Sequence, residues 1–91
     1  MSEEIARELV GIEIALLRLR PYAELVAKLG VSHAKEVLGR DGNRYRVASV
    51  IMWDSERDGD IRVTIGASGL GVSSLRPTTA NFVMTQDGTV R

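Results

Sequence analysis

The sequence predicts an α+β domain in which an N-terminal helix, broken near Pro21, packs on one face of an antiparallel meander of about four strands. Two patterns support this prediction. Apolar residues recur at helical spacing along the first third of the chain, and short apolar runs separated by turn residues follow in the rest. The 91 residues suit a single domain, 1–91, which we divide into a helical segment at 2–29 and an antiparallel sheet at 31–91.

The first helix is predicted by its cap and by its apolar spacing. Ser2 followed by Glu3 and Glu4 is typical of a helix N-terminus, where a hydroxyl and acidic side chains stabilise the free amides. One apolar stripe, which we expect to face the sheet, consists of Ile5, Leu9, Ile12, Leu16 and Leu19. A second apolar stripe, well round the helix, consists of Val10, Ile14 and Leu17. One stripe is enough to dock a helix on a sheet, so the second is predicted to be exposed in a monomer.

Pro21 is expected to interrupt the helical segment, because proline lacks an amide hydrogen and disfavours helical dihedrals in the residue before it. We therefore predict a break at Arg20–Pro21 and a second helical piece that has Pro21 in its first turn and ends at Gly30. Residues 31–38 favour a strand, because the hairpin dipeptide Asp41-Gly42 and a clear strand follow them. A short helix capped by Ser32 is the alternative.

Three further strands are predicted. The strand at 44–53 is apolar along one face, whereas its other face begins with Arg44 and Arg46 and becomes apolar at Val50 and Met52. Residues 61–65 alternate apolar and polar side chains, which is typical of a strand with one buried face. Residues 81–86 form the last predicted strand, before a turn at Asp87-Gly88. The glycine-rich stretch at 66–74 is interpreted as a turn or bulge between strands.

Composition limits the classes of function and partner. Twelve basic and twelve acidic residues cancel, whereas a protein that neutralises phosphates normally has a basic excess, so nucleic-acid binding is not expected. The absence of cysteine excludes disulfides and thiolate metal sites and favours a reducing compartment. The acidic start lacks the features of a signal peptide, and no stretch has the roughly 20 apolar residues that span a bilayer. The expected location is the cytoplasm, without membrane association.

The acidic loop at 54–60 is the candidate cation site. Its acidic residues have the spacing of the first half of a helix-flanked calcium loop: Asp54, Glu56, Asp58 and Asp60. The spacing fails at the last ligand, where Ile65 stands in place of the bidentate glutamate, and strands flank the loop in place of helices. We therefore interpret it as a solvated hairpin loop, and we expect no metal and no cofactor.

No recognisable catalytic constellation is present. Gly66, Gly69 and Gly71 resemble a phosphate-binding loop in their spacing, but no helix N-terminus follows them. His33 is the single histidine, and adjacent Ser32 would point to the opposite face of a strand, so nucleophilic catalysis lacks its base. The arginines of the second strand lie opposite its aromatic residues and have no exposed rings for base stacking. The protein is therefore not expected to be an enzyme.

Three classes of function are consistent with these patterns. The first is a non-enzymatic interaction module that self-associates, with a homodimer favoured over an unidentified protein partner, because apolar surface is left uncovered. Its predicted interface residues are Val10, Ile14, Leu17, Val50 and Met52. The alternative is a small-ligand or cation-binding domain that uses the loop at 54–60 or the stretch at 66–74. An enzyme is the third class. A short helix at 31–38 would weaken the first interpretation, because it would cover the surplus apolar surface.

Overall fold

The computed structural model describes residues 3–69 and 78–91. Its elements in chain order are α1 (Glu3–Arg18), α2 (Tyr22–Val26), β1 (His33–Leu38), β2 (Arg44–Trp53), β3 (Ile61–Gly69) and β4 (Thr78–Met84). The strands pair antiparallel in chain order, so the sheet is a four-stranded meander. α1 packs on one face of this sheet, mainly over β3 and β4, and the predicted α+β class is confirmed.

The helical segment is interrupted around Pro21. α1 ends at Arg18, and α2 begins at Tyr22 after Pro21, whose ψ of 152° is extended. The carbonyl of Pro21 accepts a hydrogen bond from the amide of Leu25 at 3.2 Å, so the proline starts the new helix without continuing the old one. Turns then lead to Gly30, whose φ of 78° lies in the left-handed region that favours glycine.

The segment predicted as either a strand or a short helix is the edge strand β1. A tight turn joins it to β2, in which the amide of Gly39 donates to the carbonyl of Asn43 at 2.8 Å. The side chain of Asp41 accepts hydrogen bonds from the Tyr45 hydroxyl at 2.8 Å and from the Asn43 amide at 3.0 Å. Desolvation raises the pKa of Asp41, but these hydrogen bonds outweigh it and the pKa is lowered.

The core lies between the helices and one face of the sheet, which we call the inner face. Across the sheet, Ile51 lies opposite Val63, and Val63 lies opposite Phe82. The buried apolar residues are Ile5, Ala6, Val10, Leu25, Tyr45, Val47, Ile51, Ile61, Val63, Ile65, Ala67, Phe82 and Met84. Both helices contribute to this cluster, so neither covers the outer face of the sheet. No polar or charged residue within the described ranges is buried.

The glycine-rich stretch differs from its prediction. Gly66 and Gly69 belong to β3, where Gly69 pairs with Tyr45 of β2, so the first part of the predicted turn is a strand. Small side chains here do not end the strand because its neighbours continue the hydrogen-bonded ladder. Gly71 and the rest of the stretch lie outside the described residues. β4 begins at Thr78, three residues before its predicted start at 81.

The predicted C-terminal turn folds the chain back along the edge of β4. The amide of Thr85 donates to the carbonyl of Thr89, and the amide of Arg91 donates to the carbonyl of Val83, both at 2.8 Å. The Asp87 carboxylate accepts hydrogen bonds from the Thr85 hydroxyl and, at 3.0 Å, from the Thr89 amide. These hydrogen bonds lower the pKa of Asp87 to about 2. Part of this sheet edge is therefore occupied by the chain itself.

Candidate interaction surface

α1 packs on the sheet with a different stripe from the one predicted. Val10 is 2% exposed, and Ile14 and Leu17 are half-buried against the core. Of the predicted sheet-facing stripe, only Ile5 and Leu9 contact the core. The prediction that Val10, Ile14 and Leu17 are exposed in a monomer is therefore wrong. The two stripes have similar apolar content, and helical spacing does not encode which of them the sheet lies beneath.

The C-terminal part of the other stripe is left in solvent. Ile12 and Leu16 are each 51% exposed, and Leu19 is 82% exposed. We call these three residues the exposed stripe. Ile12 and Leu16 lie on successive turns of one side of α1, and Leu19 follows directly after its last residue, Arg18. Positions 12, 16 and 19 keep helical spacing, so their side chains form a continuous apolar surface. Contiguous exposed apolar surface on a small protein usually marks a contact site.

The sequence does indicate that α1 has more apolar surface than one contact with the sheet can bury. Residues 9–17 include one charged residue, Glu13, so this part of the helix is apolar nearly all round. A helix with that composition is normally covered on all sides. This composition predicts that some apolar surface of α1 is left over, but it does not predict on which side of the helix that surface lies.

The exposed stripe lies on the side of α1 that faces the β1–β2 hairpin. At the start of this side, the Ile5 side chain lies against Gly39, and the guanidinium of Arg40 donates to the carboxylate of Glu8 at 2.8 Å. This hydrogen bond is the main reason that the pKa of Arg40 is raised. Positions 5, 8, 12, 16 and 19 succeed one another at helical spacing. The exposed stripe therefore continues along the helix from the hairpin contact.

An ion pair also ties the middle of α1 to β1. Lys35 Nζ lies 2.8 Å from Glu13 Oε1, and the Glu13 side chain is only 16% exposed. A cavity of about 90 Å³ beside the pair is lined by Glu13, His33, Ala34, Lys35, Val47, Ala48 and Ser49. This volume corresponds to about three water molecules. Small-molecule sites are usually ~300 Å³ or larger, so the cavity does not suit an organic substrate.

The strand register brings His33 opposite Ser49 on the inner face of the sheet. The sequence places only Ser32 next to His33, because the register that brings Ser49 opposite is set by pairing between distant segments. The His33 side chain is exposed, and no side-chain hydrogen bond joins it to Ser49 among the described residues. The pair therefore lacks the aligned base and the orienting group that nucleophilic catalysis requires.

The outer face of the sheet carries the other two predicted interface residues. Val50 is half-buried, and Met52 is 52% exposed. The cross-strand neighbour of Met52 is Arg62, which donates to Asp54 at 2.9 Å and to Asn81 at 2.8 Å. A charged network thus borders the one strongly exposed apolar side chain of this strand. The outer face offers less continuous apolar surface than the exposed stripe does.

The outer-face arginines are separated from the aromatic residues, as the sequence predicts. Arg44 lies 3.8 Å from Glu36, whereas Arg46 has no ion pair within the described part of the chain. Tyr45 is fully buried on the inner face, and half-buried Trp53 packs against the core there. Bases therefore have no ring to stack on beside these arginines.

The four acidic residues of the loop at 54–60 are not brought together as ligands. Asp54 lies 2.7 Å from a guanidinium nitrogen of Arg62, and Asp60 pairs with Arg91. Glu56 and Asp58 are exposed, and no group of three or more metal-binding side chains occurs in ranges 3–69 and 78–91. Two of the four carboxylates are thus paired with arginine.

The same loop is held by its neighbours. The hydroxyl of Tyr22 donates to the carbonyl of Gly59 at 2.6 Å, and the side-chain amide of Gln86 donates to the carbonyl of Asp58. Asp58 itself has a φ of 65°, in the left-handed region that aspartate tolerates better than most residues. The loop therefore links α2 to the segment after β4, which is a structural role.

Neither helix of the described residues is long and apolar enough to cross a membrane. No protein-family description, no curated protein and no solved structure matches this chain. A functional proposal for the protein therefore rests on its surface geometry.

Proposed function

We propose that this protein is a non-enzymatic interaction module that self-associates through the exposed stripe of α1. The observation that carries the proposal is that Ile12 and Leu16 on α1, and Leu19 just after it, remain half or more exposed while the opposite side of the helix is already docked. A helix side of this kind gains free energy when a second apolar surface covers it. A second copy offers the same surface, and a two-fold arrangement makes each copy cover the other.

The energetic balance predicts weak association from the stripe alone. Full burial of a large apolar side chain contributes roughly 1.5–3 kcal/mol, so the exposed fractions of the stripe on two copies contribute about 5–11 kcal/mol together. The loss of translational and rotational freedom costs about 4–15 kcal/mol. These ranges overlap, so a stable dimer requires contacts besides the stripe. The formal net charge of zero means that no long-range repulsion opposes the association.

The test is sedimentation equilibrium of the native protein and of two variants matched in exposure. Leu16 in the exposed stripe is 51% exposed, and Met52 on the outer sheet face is 52% exposed. We expect the native protein to show a concentration-dependent increase in mass. Leu16→Glu should remain monomeric with unchanged circular dichroism, because a carboxylate would be desolvated at the interface. Met52→Glu should self-associate as the native protein does.

Two results would contradict the proposal. One is a native protein that remains monomeric at concentrations up to about 1 mM, the range in which even a weak dimer of about 4 kcal/mol is detected. The other is a monomer produced by Met52→Glu while Leu16→Glu still dimerises, which would place the interface on the outer face of the sheet.

A further inference from the structure

We propose that the second copy joins at the free edge of β1, so that the two four-stranded sheets form one continuous antiparallel sheet. The helices of both copies then lie on the same face of the joint sheet, each with its exposed stripe on the side towards the junction. This inference rests on the proposed self-association and specifies its geometry. Four observations support it: the area that a dimer needs, the difference between the two sheet edges, the position of the stripe and the charges on β1.

The first observation is that the exposed stripe is too small to hold a dimer together alone. Three side chains exposed to 51%, 51% and 82% offer about 100–200 Å² of apolar surface per copy. A standard protein interface buries ~800 Å² per partner. Most of the contact must therefore come from surface next to the stripe.

The second observation is that the two edges of the sheet differ. The carbonyl of Val83 on β4 and the amide of Thr85 just after β4 are occupied by residues of the C-terminal turn. β1 pairs only with β2 among the described residues. The hydrogen bond from Gly39 to Asn43 sets the alternation of the β1–β2 ladder, so the backbone groups of Ala34, Glu36 and Leu38 point away from β2. An added strand can pair with these groups.

The third observation is that the exposed stripe and this edge lie on the same side of the molecule. The stripe continues from the side of α1 that contacts the β1–β2 hairpin through Ile5 and Glu8. The Glu13–Lys35 ion pair places the middle of α1 beside the centre of β1. A partner strand along β1 would carry its own helix on the same face of the joint sheet, because a two-fold axis perpendicular to the sheet relates the copies. Each stripe would then lie on the side of its helix that faces the junction.

The fourth observation is that charge selects one register among those centred on Ala34, Lys35 and Glu36. Antiparallel pairing centred on Lys35 or on Glu36 places that charge opposite its own counterpart, which is destabilising. Pairing centred on Ala34 places Lys35 opposite His33 and Glu36 opposite Ser32, so that neither charge faces its counterpart. We therefore infer that Ala34 of each copy lies opposite Ala34 of the other. The same charges act against the two other central registers and against fibre-like edge pairing.

The experiment uses the absence of cysteine from the chain. In the inferred register, the two Ala34 positions form a hydrogen-bonded pair with Cα atoms ~5.5 Å apart, a separation that a disulfide spans. Ala34→Cys should therefore form a covalent dimer rapidly under mild oxidation. Thr79→Cys is the control, because Thr79 is also exposed but lies on β4 at the opposite edge. Thr79→Cys should cross-link at least about 10-fold more slowly.

A second variant tests the backbone pairing directly. The amide of Ala34 points away from β2 in the inferred alternation, so Ala34→Pro removes no hydrogen bond within the chain. We expect Ala34→Pro to keep its circular dichroism and to weaken dimerisation by about 10-fold or more. In the native dimer, the amides of Ala34 and Glu36 should exchange slowly with solvent.

The outcomes separate this inference from the proposal on which it rests. A native protein that stays monomeric overturns both. A native protein that dimerises, while Ala34→Cys cross-links no faster than Thr79→Cys and Ala34→Pro has no effect, overturns the edge pairing and leaves self-association through the stripe intact. Rapid cross-linking of Ala34→Cys together with loss of dimerisation in Ala34→Pro supports the joined sheet.

Discussion

Two sides of α1 have nearly the same apolar content and different environments. Val10, Ile14 and Leu17 pack against the core, whereas Ile12, Leu16 and Leu19 stay exposed on the side next to β1. α1 lies mainly over β3 and β4, so the sheet covers one side of the helix and leaves the other open. Helical periodicity therefore identifies the apolar stripes, whereas the lateral position of the helix on the sheet determines which stripe is part of the core.

The largest expected effect comes from placing a charge on each side of this helix. Val10→Glu buries an unpaired carboxylate at a position that is 2% exposed, which costs about 3–5 kcal/mol or more. A small domain has about 5–15 kcal/mol of stability in total, so Val10→Glu should lose its cooperative thermal transition. Leu19→Glu, at the most exposed position of the stripe, is the control and should melt as the native protein does. If thermal unfolding followed by circular dichroism shows equal stability for the two variants, the assignment of one stripe to the core and the other to the surface is wrong.

A smaller effect is expected from adding one methyl group at either of two glycines, one in the β1–β2 turn and one on α1. At Gly39, an added Cβ would lie 2.6 Å from a ring carbon of Tyr45 and 2.8 Å from a carboxylate oxygen of Asp41. Gly39→Ala should therefore destabilise the protein by about 1–3 kcal/mol. At Gly11, on α1, no atom lies within 4 Å of an added Cβ. Gly11→Ala should stabilise the helix by about 0.5–1 kcal/mol. Urea denaturation measures both changes, and a shift of the same sign for both would contradict this account of packing.

The smallest expected effect is the change in stability with pH that comes from Asp87, which lies in the C-terminal turn and outside both stripes. The pKa of Asp87 is about 2, below the ordinary value of about 3.9. Its hydrogen bonds from Thr85 and Thr89 therefore stabilise the C-terminal turn above about pH 4, and this contribution is lost as the pH falls through about 2. The carboxyl carbon of Asp87 should titrate at about 2 by NMR. In Asp87→Asn, the Thr89 amide resonance should no longer shift in that range. An Asp87 titration near 4 would show that these hydrogen bonds do not form in solution.

Much of the fold follows from local patterns. The apolar spacing of α1, the interruption at Pro21 and the hairpin residues Asp41-Gly42 each act over a few residues, so they can be predicted without knowledge of the rest of the chain. Ser2, the predicted cap of α1, lies outside the described residues. The alternation in β2 and β3 likewise predicts which side chains face the core. The end of β3 at Gly69 was missed, because ladder pairing with β2 overrides the weak strand propensity of glycine.

The surface could be predicted less well. The acidic loop at 54–60 has the spacing of a calcium loop, but its charges are partly satisfied by arginines that lie elsewhere in the chain. Asp54 pairs with Arg62 and Asp60 pairs with Arg91, eight and 31 residues away. The pair of His33 and Ser49 is also invisible in the sequence, because it depends on the register between β1 and β2.

Local spacing along the chain specifies an α+β domain with a broken helical segment, a meander of strands and more apolar surface on α1 than one contact buries. These properties depend on the spacing of neighbouring residues, which each segment carries with it. The tertiary structure alone decided which side of α1 is core, which edge of the sheet is free, and which acidic side chains are paired. Those outcomes depend on contacts between distant segments, and their free energies are set by the position of the helix on the sheet and by strand register.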